Sequence, residues 1–230
     1  TRRSSDLKSR QVPSIFSSIS DERGSELTYN RVPVSKVESI GQAIGLLWFK
    51  KSLPDPLAKY IEKILVVCAD HGPAVSGAQN TIISTRAGKD LMSSLASGLL
   101  TVGPRFGGAI NEAARSFYYA WKEGVSPALF VKNSGIISGI GHRHYTFHNP
   151  DSRIVMLEPH FQAVCQQRSV TEYARSVEKL TLLKRSNLIL NVDGFIATSL
   201  IDCFLSSVFT QAEVEELLSQ EIFNAFFALA

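Results

Sequence analysis

Two histidines and an aspartate, each beside a glycine, carry most of the chemical content of this 230-residue sequence. They lie in Asp70-His71-Gly72 of ADHGPAVSGAQNT, Gly141-His142 of SGIGHRHYTFHNPDSR, and Asp193-Gly194 of NLILNVDG. Glycine lets a backbone turn tightly and lets a substrate come close. Two imidazoles and a carboxylate are enough to move protons on and off carbon and oxygen near neutral pH. Plainer readings exist for two of the three. His71 follows an apolar helical stretch, where a positive charge suits the helix dipole. Asp193 follows the apolar run Leu188 to Val192, which is also the place of a helix N-cap. His142, behind the small-residue run Ser138-Gly139-Ile140, is harder to explain as packing.

Arg153 closes Asn149-Pro150-Asp151-Ser152-Arg153, 11 residues after His142. A guanidinium offers a planar fork that grips a carboxylate at two points, so a substrate anion is a candidate partner. His142, His144 and His148 form an H-x-H-x3-H spacing that invites a metal. Metal-bound histidines generally need carboxylate or thiolate company and supporting hydrogen bonds, and only Asp151 is near in sequence. No metal is therefore expected. Gly135, Gly139 and Gly141 hint at a phosphate loop, but no P-loop lysine follows and the spacing is not G-x-G-x-x-G. No G-x-S-x-G nucleophile elbow occurs.

Helices must position these residues. Leu57, Tyr60, Ile61, Ile64, Leu65 and Cys68 recur at helical spacing, as do Ile110, Ala113, Ala114, Phe117, Tyr118 and Trp121, and Val214, Leu217, Leu218 and Ile222. Ser169 with Glu172 and Thr210 with Glu213 read as capping boxes. Gly72-Pro73, Gly103-Pro104 and Gly107-Gly108 punctuate the pattern. Asp21 to Gly24 reads as a turn and Glu26 to Tyr29 as a short extended piece; no alternating strand follows residue 35. An all-α fold is the expectation.

Hydrophobic residues make up 44% of the chain and charged ones 20%, the balance of an ordinary globule with a sizeable core. A net charge of +3 does not call for nucleic acid. The longest apolar run, Ile64 to Ala69, is far short of the roughly 18 residues a membrane helix needs. Cys68, Cys165 and Cys203 are odd in number and lack a CxxC pair, so buried reduced thiols are expected. Residues 1–14, with Arg2, Arg3, Lys8 and Arg10 among serines, read as a disordered linker ahead of a domain over 15–230. A start at Thr1 and a stop within the stripe Phe226 to Ala230 read as the cut ends of something longer.

The segments SISDERGSELTY, ADHGPAVSGAQNTIISTRAGKDLMSSLASGLLTVGPRFGGAINEAA, GIGHR, NPDSR and NLILNVDG, in that order, resemble the citrate-synthase-like C-terminal part of the ATP-citrate lyase family over residues 15–230. The resemblance implies an α-helical citrate synthase fold of a large and a small lobe, with the site in the cleft and the C-terminal part truncated. It implies reverse Claisen cleavage of citryl-CoA to acetyl-CoA and oxaloacetate. His71, His142 and Asp193 would be the catalytic set, and Arg153 would hold a citrate-type carboxylate. His142 would polarise or deprotonate the tertiary hydroxyl, Asp193 would give a proton to the departing enolate carbon, and His71 would hold negative charge. Phe106 stands where citrate synthases carry a histidine for the enol oxygen, which disfavours net citrate synthesis.

The lysine-bearing coenzyme A loop of the family is shortened here, Lys132 running directly into Asn133-Ser134-Gly135-Ile136. Lys184 remains as a coenzyme A partner. By the same resemblance, ATP and magnesium act only through upstream segments absent from this chain, the assembly is a homotetramer, and the setting is cytoplasmic. Two other readings compete: a non-catalytic module that oligomerises with full-length subunits, and a metal-dependent hydrolase on His142, His144 and His148.

Overall fold

A computed structural model describes residues 19–21, 24–103 and 107–230. The linker expected over 1–14, the Asp21–Gly24 turn in part, and Phe106 fall outside them. The chain divides into two compact units, residues 1–52 and 53–230.

In the first unit, β1 (Ser20–Asp21), β2 (Thr28–Tyr29) and β3 (Val32–Pro33) form an antiparallel sheet in that order. Ser20 pairs with Tyr29, and Thr28 with Pro33. The extended piece expected at 26–29 is thus its central strand. A 3-10 turn, Val34–Lys36, leads to helix α1 (Ile40–Trp48), whose first turn is capped by the Ser39 hydroxyl accepting from the Gln42 N–H.

The second unit is mainly helical, with a long non-helical stretch over 134–151. Its helices are α2 (Asp55–Cys68), α3 (Ser76–Arg86), α4 (Leu91–Leu99), α5 (Ala109–Lys122), α6 (Pro127–Asn133), α7 (Ser152–Val164), α8 (Ser169–Leu182), α9 (Val192–Leu205), α10 (Gln211–Ser219) and α11 (Ile222–Leu229). Helix α9 is apolar on every side, and all of it except Asp193 and Leu205 is buried. Such a helix must lie at the centre of a core. It does: α5, α7, α8 and α10 pack around it, while α2 packs on α7 and α11. The periodic stripes of α2 and α5 face this core, with Leu57, Tyr60, Ile61, Ile64, Ile110, Phe117 and Tyr118 all buried.

Helices α3 and α4 pack chiefly on each other. No residue of α3 is buried, and in α4 only Ser94 and Gly98 are. Gly98 permits this pairing, because a β-carbon there would run into the Thr81 side chain.

Three expectations are corrected. The capping box at Thr210 and Glu213 forms, but the one at Ser169 and Glu172 does not. Instead the Asp202 carboxylate of α9 accepts from the Val170 and Thr171 N–H groups at 3.0 and 2.9 Å, doing the capping from another helix. The stripe Val214 to Ile222 is not one helix, since Glu221 adopts a left-handed conformation (φ 56°) between α10 and α11. Asn111 holds that break: its amide donates to the Leu218 carbonyl at 3.1 Å and its own N–H to Asn224 Oδ1 at 2.9 Å. Cys165 and Cys203 are buried as expected, whereas Cys68 is only partly so.

Candidate functional site

Helix α2 ends at Cys68, and the chain then turns on Asp70, whose Oδ1 accepts from the Gly72 N–H at 2.8 Å. Gly72 has φ +78°, which a side chain would resist. His71 sits in this turn rather than in the last helical turn, and its ring meets the edge of Phe227 from α11 at 5.1 Å.

His142 is held by main-chain pairing between two of the sequence words. The Gly141 and His142 N–H groups donate to the carbonyls of Ile189 and Asn187 at 2.7 and 3.0 Å, and the Asn191 N–H returns to Gly139 at 3.0 Å. The amides of Asn187 and Asn191 then donate to the His142 and Gly141 carbonyls at 3.0 and 2.9 Å. Gly139 (φ +86°) and Gly194 touch backbone to backbone; a β-carbon on Gly139 would lie 2.6 Å from the Gly194 Cα. The glycine beside Asp193 thus admits a neighbouring loop, not a substrate. This contact fixes the distance between His142 and the start of α9.

The imidazole of His142 has one committed nitrogen. Its Nδ1 accepts from the His144 and Tyr145 N–H groups, both at 3.0 Å. A nitrogen that accepts cannot carry a proton, so the neutral ring holds its proton on Nε2. Burial pushes the pKa of His142 below the ordinary histidine value, with the positive charges of Arg153, His144 and His71 adding to this and Asp151 opposing it.

Arg153 lies in the first turn of α7, capped by Asp151. Its fork is already engaged: Nε and Nη2 reach the Asp151 carboxylate at 2.9 and 2.7 Å. Asp151 is 1% exposed, so the pair is fixed from beneath and the outer guanidinium edge faces the cavity.

Asp193 is the second residue of α9 and does not cap it. Asn191 does, accepting from the Gly194 N–H at 3.1 Å. The Asp193 carboxylate has no hydrogen-bond partner among the described residues. Burial raises its pKa, against the charges of His71 and Arg153, which lower it. Cys68 lies within its field and, mainly through burial, is pushed up to about 12, so it stays a thiol.

One cavity of about 1080 Å³ collects these groups. Asp70, His71, Val75, Ser76, Gly141, His142, Arg143, His144, Tyr145, Arg153 and Asp193 line it. Four of the five site residues expected from sequence converge there. Lys184 does not: it is exposed just beyond α8 and is not part of the lining. Sequence reading missed Asn187 and Asn191, whose only signal is an asparagine at each end of NLILN, and Tyr145, which carries none. No three His, Cys, Asp or Glu side chains among the described residues are placed to hold a metal. Within the H-x-H-x3-H spacing, Nδ1 of His142 is engaged by its own loop.

Against known proteins, the family described as citrate synthase, C-terminal domain, matches residues 9–211. The probable ATP-citrate synthase subunit 1 of Neurospora crassa is 46% identical over 229 residues, covering 96% of this chain and 34% of that protein. The ATP-citrate synthase of Homo sapiens is also 46% identical, over 96% of this chain and 21% of its own length. The chain thus spans about a third or less of these relatives. Among solved structures, ATP citrate lyase from Methanothrix soehngenii, in complex with citrate and coenzyme A, superposes with a TM-score of 0.90 at 45% identity, over 97% of this chain and 38% of that one. Citryl-CoA lyase from Hydrogenobacter thermophilus superposes at 0.77 and 24% identity, over 94% of this chain and 81% of that one, a likeness of fold alone.

Proposed function

The chain belongs to the citrate synthase family, and from that premise we propose that it is the citryl-CoA-cleaving module of an ATP-citrate lyase, working in the cytoplasm to release acetyl-CoA and oxaloacetate. One observation carries this reading: His71, His142, Arg153 and Asp193, distant in sequence, line a single cavity. The donor set suits a citrate-derived anion. Two imidazoles and the free edge of Arg153 face it, with Arg143 and His144 at the same wall.

Cleavage takes a proton from the tertiary hydroxyl and returns one to carbon, so no net proton is drawn from solvent. His142 presents Nε2–H to the substrate, which favours polarising the hydroxyl oxygen over removing its proton. As the hydroxyl proton passes to the Asp193 carboxylate and that oxygen becomes a ketone, the carbon–carbon bond breaks and the acetyl-CoA enolate leaves. Asp193, its pKa raised by burial, is suited to deliver a proton to the enolate carbon. Arg153, steadied by Asp151, holds a carboxylate of the citryl group, and His71 balances its remaining charge. Coenzyme A enters as part of the substrate. Lys184, exposed and three residues before Asn187, is proposed for its phosphates, outside the cavity that takes the acyl end.

The test is citryl-CoA cleavage by this chain and by Asp193→Asn, followed as oxaloacetate released. A positioned proton donor is worth about 10²–10⁴ in rate, and a loss of that order is expected. Equal rates in the two proteins would mean that the carboxylate is idle.

A second reading has its own observation. The α3–α4 hairpin exposes Ile82, Ile83, Leu91, Met92, Leu95, Leu99 and Leu100, and α4 carries no charge. An uncharged apolar face of this kind suits a second copy of itself, since no charge must be desolvated. We propose self-association through this hairpin, towards the homotetramer that the family resemblance implies. A chain that assembles with full-length subunits but does not cleave citryl-CoA would be a non-catalytic assembly module.

A further inference from the structure

We propose that Tyr145 is a positioning residue, a ring that braces the His142 imidazole in the orientation the site uses. Its ring lies 4.6 Å from the His142 ring, centre to centre, at 37° between planes. Its backbone N–H is one of the two that hold Nδ1, at 3.0 Å. The Arg153 guanidinium carbon also stands 6.0 Å from the ring centre. Tyr145 therefore neighbours both the imidazole and the guanidinium. It lines the same cavity and is half-buried.

Main-chain bonds to Nδ1 set the tautomer and exclude a flip of the imidazole, but smaller rocking about the χ2 torsion stays open to it. That torsion is broad and soft for a ring on an sp³ carbon. An aromatic ring packed at 37° to the imidazole restricts that rocking and also keeps water from one side. The other neighbour, His144, is exposed, with its ring 6.1 Å away and inclined at 60°, too far to do the same. The work falls to Tyr145.

This inference rests on the lyase reading for its catalytic meaning, and its test separates the two. In the unliganded chain, nitrogen-resolved NMR of His142 reports tautomer and titration midpoint without any turnover. Tyr145→Phe should match the parent protein. Tyr145→Ala should keep the Nε2–H tautomer and raise the midpoint by about half a pH unit, as water reaches the ring. Tyr145→Leu fills the space and keeps water out, so its midpoint should stay near that of the parent; a rise as large as that of Tyr145→Ala would mark a disturbed loop and overturn the proposal.

In citryl-CoA cleavage the same two variants should lose about tenfold in kcat with KM little changed, the mark of orientation rather than binding. An unchanged midpoint in Tyr145→Ala would overturn the proposal. So would a Tyr145→Phe variant that behaves like Tyr145→Ala, since the hydroxyl would then be responsible. If the parent protein cleaves no citryl-CoA, the lyase reading fails while the NMR result still decides the role of Tyr145.

Discussion

At the scale of single residues, His142 shows how local bonding decides what a catalytic group can do. The only nitrogen open to a second proton is Nδ1, and taking it up forfeits two backbone N–H bonds at 3.0 Å. Burial and three nearby positive groups work in the same direction, against Asp151. A lowered pKa means that the ring stays neutral as pH falls through the ordinary histidine value. The titration midpoint of His142 by NMR is therefore expected below about 6.5. Citryl-CoA cleavage should be level through neutral pH and fall only below that midpoint, as protonation breaks the 142–145 loop. A midpoint above the ordinary value would contradict the hydrogen-bonding scheme. The residue types in the site were readable from sequence, but the state of each was not. Nothing in NPDSR says that the fork of Arg153 is already closed on Asp151, because both residues would read equally well as a surface pair.

At the scale of elements, α8 depends on a carboxylate 33 residues beyond its first residue, Asp202 counted from Ser169. Burial raises the Asp202 pKa to about 6, with the Val170 and Thr171 N–H groups opposing the shift. Its value in an unfolded chain is about 3.9. The folded state thus holds this proton more tightly than the unfolded one. The resulting stabilisation is complete below about pH 4 and is lost as pH rises through about 6. Asp202→Asn removes the titration and leaves one helix N–H without an acceptor, a cost of about 1–3 kcal/mol. In urea unfolding at several pH values, the variant should be less stable near pH 4 and show a flatter dependence between about pH 4 and 6. Parallel curves for the two proteins would sink the linkage. The same reach across sequence explains the α10–α11 break, where Asn111 meets carbonyl and amide groups more than a hundred residues away.

At the scale of the whole molecule, the α3–α4 hairpin is the feature most at odds with an isolated subunit. Leu91 and Leu100 are 80% and 86% exposed on helices that bury almost nothing. Sedimentation of the chain should show concentration-dependent association. Exchanging Ile83 and Leu91 for glutamate should abolish it while leaving the helical circular dichroism signal intact. A parent protein that sediments as a monomer at every concentration tested would remove the assembly proposal. Because the hairpin leads from Val75 and Ser76 of the cavity wall, association there would also steady one side of the site.

The amino-acid sequence by itself determined that the chain after residue 35 is mainly helical, and it offered five candidate site residues, four of which line one cavity. Those properties follow from periodicity and from short words whose residues act on near neighbours. Only the tertiary structure decided that Asp202, not Ser169, caps α8; that Gly194 serves a neighbouring backbone; that Lys184 stands apart from the cavity; and that Tyr145 lies against His142. Each of these depends on which donors, backbones and rings meet across long stretches of sequence. That is settled by proximity in the folded chain, and spacing along the chain carries no record of it.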